Sequence, residues 1–206
     1  MNMNLEIQSN DRVFICGQTG TGKTFLAKHL FDQCLRGVIY SIDWEILPGE
    51  TYEHVHSIKK IDWMKSQKYV LEPHRDTAAA MDDFCEWVFY ENTNMTTYIE
   101  EIGDFLETDA NLEHFATLLR RGRKHGLGMI MTTQRPQGFR TKLPITQSQH
   151  VIVFRMFEEQ DVRFVLKCAG LGKDEEEMVR NLKEYEFFYY NVREGRAEIM
   201  PAVKVE

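Results

Sequence analysis

Residues 12–25 read RVFICGQTGTGKTF. A mostly apolar pentapeptide runs straight into three glycines, three threonines and a lysine. RVFIC has the length and composition of a buried strand, and the residues from Lys23 onward carry apolar side chains at helical spacing. The stretch Gly17-Gln18-Thr19-Gly20-Thr21-Gly22-Lys23-Thr24 fits GxxxxGK[ST] without a mismatch, and a strand before it with a helix after it is the context that gives this pattern its meaning. Glycines let the backbone curl into a nest of N–H donors, and the helix N-terminus adds partial positive charge. Lys23 reaches the β and γ phosphates of a nucleotide as a mobile cation, and the Thr24 hydroxyl is placed to ligate Mg²⁺. The segment Gly17 to Phe25 is therefore the candidate binding site for ATP with Mg²⁺.

The rest of the chain repeats the alternation of apolar runs and helical periodicities. Strands are expected at 12–16, 38–43, 68–72, 96–101, 128–134 and 150–156, and helices at 23–35, 77–91, 110–124, 158–169 and 173–183. The last segment, EFFYYNVREGRAEIMPAV, reads as a hairpin turning at Glu194-Gly195. Alternation of this kind predicts an α/β fold with a mostly parallel sheet covered on both faces and the hairpin at one end. At 206 residues, one domain over 1–206 is expected, with a core at about 12–156 and a helical pair plus hairpin over about 157–206. Residues 44–67 and 135–149 show no clear pattern and read as functional loops.

Hydrolysis needs a group to hold the metal and another to orient water. The strand TTYIEE ends in two acids, at the strand edge where ligands of parallel sheets bind. Glu100 is assigned to Mg²⁺, through water, and Glu101 to polarising the attacking water. The reverse allocation stays open, and Asp43, Glu45 and Asp104 are weaker competitors. The stretch LLRRGRKHGLGMIMTTQRP places Arg120, Arg121, Arg123 and Lys124 at a helix C-terminus. Basic residues are favoured there by the helix dipole, yet such a cluster also suits an arginine finger reaching a neighbouring subunit's nucleotide. Gln134 ends the next strand, where a neutral amide can sense the γ-phosphate.

The order GQTGTGKT, then an apolar strand with EE, then RRGRKHGLGMIMTTQRP resembles the HerA/FtsK superfamily of DNA-pumping ATPases. In its small size the chain is similar to the genome-packaging ATPases of PRD1-like phages and turreted icosahedral archaeal viruses. The resemblance covers about 12–156 by motif. It implies a RecA-like P-loop core, a homo-hexameric ring around double-stranded DNA and ATP-driven translocation. It makes Lys23 and Thr24 the Walker A pair, Glu100 and Glu101 the Walker B pair, Gln134 the polar sensor, and Arg120 or Arg123 the finger, with Arg123 preferred. The usual first Walker B residue is Asp, so Glu100 is a departure. Capsid-vertex or internal-membrane proteins are implied as further partners, and the host cytoplasm or the virion as the location.

Pore loops of such a ring touch backbone phosphates without reading bases. Arg135, Arg140 and Lys142 suit that contact, as do Lys59, Lys60, Lys65 and Lys68. The net charge of −7 argues against a surface coated for nucleic acid and leaves room for local basic patches. No secretory signal or membrane-spanning run is read from the chain, and the four dispersed cysteines form no metal-ligand or disulfide pattern. His54 and His56 lack a third ligand nearby. The rival readings are a HerA-like cellular or plasmid translocase, a monomeric P-loop kinase with an acceptor substrate, and a scaffold that binds ATP and barely hydrolyses it.

Overall fold

A computed structural model describes residues 5–42, 52–74, 77–108 and 111–202. The strands are β1 (Arg12–Cys16), β2 (Gly37–Tyr40), β3 (Glu53–Val55), β4 (Lys68–Leu71), β5 (Met95–Ile99), β6 (Leu127–Thr133), β7 (His150–Phe154), β8 (Phe187–Asn191) and β9 (Arg196–Met200). They form one sheet in the order β3-β4-β2-β5-β6-β1-β7-β8-β9. Pairing is parallel from β3 through β7 and antiparallel at β8 and β9. The helices are α1 (Lys23–Asp32), α2 (Ala78–Glu91), α3 (Gly103–Leu106), α4 (Glu113–Arg121), α5 (Leu143–Thr146), α6 (Glu159–Cys168) and α7 (Lys173–Arg180). This is the α/β architecture that the alternating pattern predicts.

Every residue of β1, β2, β5, β6 and β7 is buried, because helices cover both faces of a parallel sheet. Side chains of β1 alternate between two apolar layers. Phe14 and Cys16 join the larger one, with Phe84 and Val88 of α2, Phe115 and Leu119 of α4, and Val165 of α6. Val13 and Ile15 join the smaller one, with Leu26, Ala27, Leu30 and Phe31 of α1.

The described parts of the two stretches read as functional loops, 52–67 and 135–149, contain ordered elements. Residues 53–55 add β3 as a parallel edge strand, with Glu53 opposite Tyr69 and Val55 opposite Leu71. Its sequence EHV carries neither an apolar run nor a clean alternation, so pairing with β4, not local pattern, makes it a strand. Residues 136–138 form a 3₁₀ turn, and Pro136, Phe139 and Ile145 are buried. The Phe139 ring meets Phe14 edge to face, with centroids 6.1 Å apart. Other boundaries also shift. β5 stops at Ile99, one residue before the acid pair. α4 ends at Arg121, and Gly122–His125 tightens into a 3₁₀ turn. Asp43, Glu45 and the expected start of this helix at residue 110 lie outside the described residues.

At the N-terminal edge of the sheet, Asp11 gathers several cations. Its buried carboxylate accepts from the Gln8 N–H at 3.0 Å, lies 3.1 Å from His150 Nε2 and pairs with Arg193. Arg123 Nε stands 3.7 Å away. Burial raises the pKa of Asp11, but the His150 hydrogen bond, the Gln8 N–H and the neighbouring positive charges outweigh it and bring it down to about 2. A carboxyl held below its ordinary 3.8 stabilises the fold above that pH, and the contribution is lost as pH falls from 3.8 towards about 2. Asp11→Asn is expected to cost about 2 kcal/mol in urea denaturation at pH 7. The gap to the unsubstituted chain should close as the pH approaches 2.

Candidate active site

The phosphate loop leaves the C-terminal end of β1 tied on both sides. Gly17 donates its N–H to the Thr133 carbonyl at 3.2 Å, and Gln18 donates to the Arg155 carbonyl at 3.0 Å. A Cβ on Gly17 would fall 2.5 Å from the Phe154 Cβ, so no side chain fits there. Gly22, the N-cap of α1, has φ 101°, which is left-handed backbone. α1 has no side-chain cap and no acid in its first turn. Its first N–H groups therefore keep the positive end of the helix directed at the loop. Lys23 is buried, 7% exposed, and its Nζ donates to the Gln18 carbonyl at 3.0 Å.

The acid pair stands beside this loop, in the turn after β5. Glu100 is 3% exposed and accepts from the Ser41 hydroxyl at 2.6 Å. Its N–H bonds the Tyr40 carbonyl, which fixes it to the end of β2. Glu101 has φ 39°, an unusual conformation for a residue with a side chain. That conformation ends the strand and turns the side chain towards β6. One carboxylate oxygen accepts both the Thr133 hydroxyl and the Gln134 N–H, each at 2.9 Å. Gln134 is in turn joined to the phosphate loop, because the Thr19 hydroxyl donates to its side-chain oxygen at 2.8 Å. Glu101, Gln134 and the loop thus form one connected hydrogen-bonded unit.

These groups enclose a cavity of about 310 Å³, lined by Thr19, Gly20, Gly22, Lys23, Thr24, Phe25, Glu100, Glu101, Thr132, Gln134 and Tyr185. A cavity of this size, with cationic, hydroxyl and carboxylate groups converging, fits a phosphorylated ligand. The Thr24 hydroxyl and the Glu100 carboxylate are hard oxygen donors, the chemistry that Mg²⁺ selects. Asp104, exposed in the first turn of α3, is not among the residues lining the cavity. Sequence reasoning missed Ser41, Thr132 and Tyr185. Ser41 and Thr132 are polar residues at strand ends with no motif of their own, and Tyr185 precedes an aromatic run that reads as core.

The arginines lie elsewhere. Arg120, Arg121 and Arg123 are exposed at the end of α4 and in the turn before β6, on the edge of the sheet opposite the phosphate loop. One length of β1, about 17 Å for five residues, separates the two edges. No guanidinium of this cluster reaches the cavity of its own chain. Arg12, buried below α4, donates to the Leu118 carbonyl at 3.1 Å. Burial and the charge of Arg123 bring its pKa down to about 10. Arg135 is exposed next to Gln134, Arg140 donates to the Glu107 carbonyl at 3.1 Å, and Lys142 is exposed just before α5. Of the other lysines, Lys65 pairs with Glu53 at 2.7 Å and Lys68 donates to the Asp32 carbonyl at 2.6 Å.

A parallel sheet carrying this loop and acid pair defines a P-loop NTPase fold. Comparisons with known proteins agree. The structure superposes on the genome packaging NTPase B204 of Sulfolobus turreted icosahedral virus 2, solved with ATP-gammaS, with a TM-score of 0.80, 19% identity, and 96% of this chain and 100% of that one covered. In sequence the chain is 36% identical over 80 residues to the DNA double-strand break repair helicase HerA of Sulfurisphaera tokodaii, spanning 37% of this chain and 16% of that protein. It is 25% identical over 134 residues to Protein P9 of Pseudoalteromonas phage PM2, spanning 60% of this chain and 59% of that one. The matches thus span less than two thirds of both curated relatives. No family model matches the chain.

Burial raises the pKa of Glu101, opposed by the Gln134 N–H, the Thr133 hydroxyl and Lys23. A carboxyl with a raised pKa weakens the fold once it ionises. Glu101→Gln is expected to raise the melting temperature at neutral pH. The gain should fade as the pH falls to Glu101's ordinary value of 4.5 and below, where both side chains are neutral.

Proposed function

We propose that this chain is a Mg²⁺-dependent ATPase that moves double-stranded DNA, working as a viral genome-packaging motor in a homo-oligomeric ring, with a hexamer as the expected size. The observation that carries this reading is the division of parts across the sheet. The phosphate loop, Glu100, Glu101 and Gln134 share one cavity at one edge, while the exposed arginines stand at the opposite edge. A chain built this way holds most of one site and offers a cation to another. Stacking in a ring, edge towards edge, would complete both. The resemblance to a viral packaging NTPase and to HerA supports the DNA partner and the viral setting.

In this reading Lys23 and the loop N–H groups bind the triphosphate. Mg²⁺, held by Thr24 and Glu100, would offset phosphate charge. Glu101 orients a water and takes its proton as the oxygen attacks the γ-phosphorus. The bond to the β–γ bridging oxygen breaks, giving ADP and inorganic phosphate. Arg123 of one protomer, with Arg120 beside it, stabilises the developing charge at its neighbour's site. Gln134 reports the γ-phosphate to Arg135 and the segment bearing Arg140 and Lys142, which contact the DNA backbone. Capsid-vertex or internal-membrane proteins would seat the ring, in the host cytoplasm or on the virion.

The direct test is hydrolysis against protein concentration, with and without long double-stranded DNA at moderate and high salt. A rise steeper than linear, and stimulation by DNA that high salt removes, are expected. Linear, DNA-indifferent turnover that needs an acceptor would instead identify a monomeric kinase.

Mixing variants tests the shared site. Lys23→Ala and Arg123→Ala are each expected to lose at least about 100-fold in turnover. Mixed together they should recover part of it, because a Lys23→Ala protomer still lends Arg123 to the intact site of its neighbour. Absence of recovery, with both variants folded, would remove Arg123 from that role. Glu101→Gln should bind ATP at full affinity and not turn it over.

A further inference from the structure

We propose that Tyr185 and Phe25 form the nucleobase end of the cavity, holding the base by stacking alone, so that the protein accepts all four nucleoside triphosphates. The proposal rests on the phosphate-binding reading of the loop and adds what happens at the other end of the ligand.

Three non-glycine residues among those described have positive φ: Asn94, Glu101 and Tyr185. Asparagine enters that region readily. The other two both line the nucleotide cavity. A tyrosine at φ 61° is strained where glycine would be relaxed, and the strain is imposed by a pinned turn. The Lys183 N–H donates to the Glu186 carboxylate at 2.9 Å, and the Glu186 N–H returns to the Lys183 carbonyl at 3.2 Å. The result is a large aromatic side chain left 49% exposed beside the phosphate loop. A Cβ at Gly22 would lie 3.7 Å from Tyr185 Cδ1. Phe25, in the first turn of α1, is 44% exposed and lines the same cavity.

Leaving two aromatic rings in water at the mouth of a polar cavity gains nothing for folding. It gains binding energy if a flat apolar ligand covers them, and every nucleobase has a π face. Base selectivity, in contrast, needs hydrogen bonds to the base edge. Among the described residues, the polar groups lining the cavity, apart from the Tyr185 hydroxyl, are Thr19, Lys23, Thr24, Glu100, Glu101, Thr132 and Gln134, which belong to the loop or to the strand ends around the acids. Stacking without edge contacts favours purines modestly through their larger rings and rejects no base.

The experiment compares binding of Mg²⁺ complexes of ATP, GTP, CTP and UTP with binding of inorganic tripolyphosphate, which has no base. The chain as it stands should bind the four nucleotides within about tenfold of one another. Tyr185→Ala should weaken ATP about tenfold and leave tripolyphosphate unchanged. Tyr185→Phe should bind ATP as the unsubstituted chain does. Tyr185→Gly separates binding from folding, since relief of the strained φ should preserve or raise the melting temperature while ATP affinity falls. Unchanged ATP affinity in Tyr185→Ala and Tyr185→Gly would overturn the proposal, as would equal weakening of ATP and tripolyphosphate, or a preference for ATP above about 100-fold. Failure of the unsubstituted chain to bind tripolyphosphate would instead sink the phosphate-loop reading beneath it.

Discussion

The site depends on β1 pairing with β6 on one side and β7 on the other. Both ladders continue past the strand end, through Gly17 to Thr133 and Gln18 to Arg155. The phosphate loop is therefore clamped between two neighbours before it begins to curve. The same β6 end bonds Glu101, through Thr133 and the Gln134 N–H. Cation, carboxylate and amide are thus positioned by a common backbone register. Gly17 marks the tightest point, because Phe154 of β7 occupies the volume that any side chain would need.

That register also explains why the acids differ. Glu100 points back over β2 to Ser41 and is almost fully buried. Glu101, one residue later and turned through a left-handed backbone, points to β6. Adjacent carboxylates sent to opposite neighbours keep their charges apart and can take separate tasks. In the proposed reading the first holds the metal, beside the Ser41 hydroxyl at the end of β2. In the same reading the second activates water; its pKa is raised by burial, against the opposing charge of Lys23.

Much of this was legible in the sequence because it is written in short, local patterns. The strand-loop-helix at 12–32, the burial of the parallel strands and the hairpin at 187–200 all follow from runs of apolar residues and glycine placement. The acid pair and Gln134 were found because strand ends in a parallel sheet share one edge. What failed depended on partners distant in sequence. EHV at 53–55 becomes a strand through β4. The segment at 135–149 is ordered because Phe139 and Ile145 find the core. Tyr185 approaches Gly22 only after the chain has crossed the sheet, and nothing in KEYEFF distinguishes its tyrosine from the buried rings that follow. The arginines were visible as a cluster, but their separation from the loop is a property of the whole strand length.

The two ends of the sheet are built on different physical terms. The loop edge is unfinished: a helix terminus without a side-chain cap and exposed aromatics are features that a ligand would complete, beside a glutamate held at positive φ. The opposite edge balances its charges internally, as Asp11 takes its hydrogen bonds and ion pairs from Gln8, His150 and Arg193. Arg123 stands at the margin of that network, 3.7 Å from Asp11 and a little under half exposed. Asp11 already has closer partners in Gln8, His150 and Arg193, so this longer contact holds the guanidinium loosely. Arg123 can therefore leave Asp11 for a more strongly anionic partner, as the proposed contact with a neighbour's triphosphate requires.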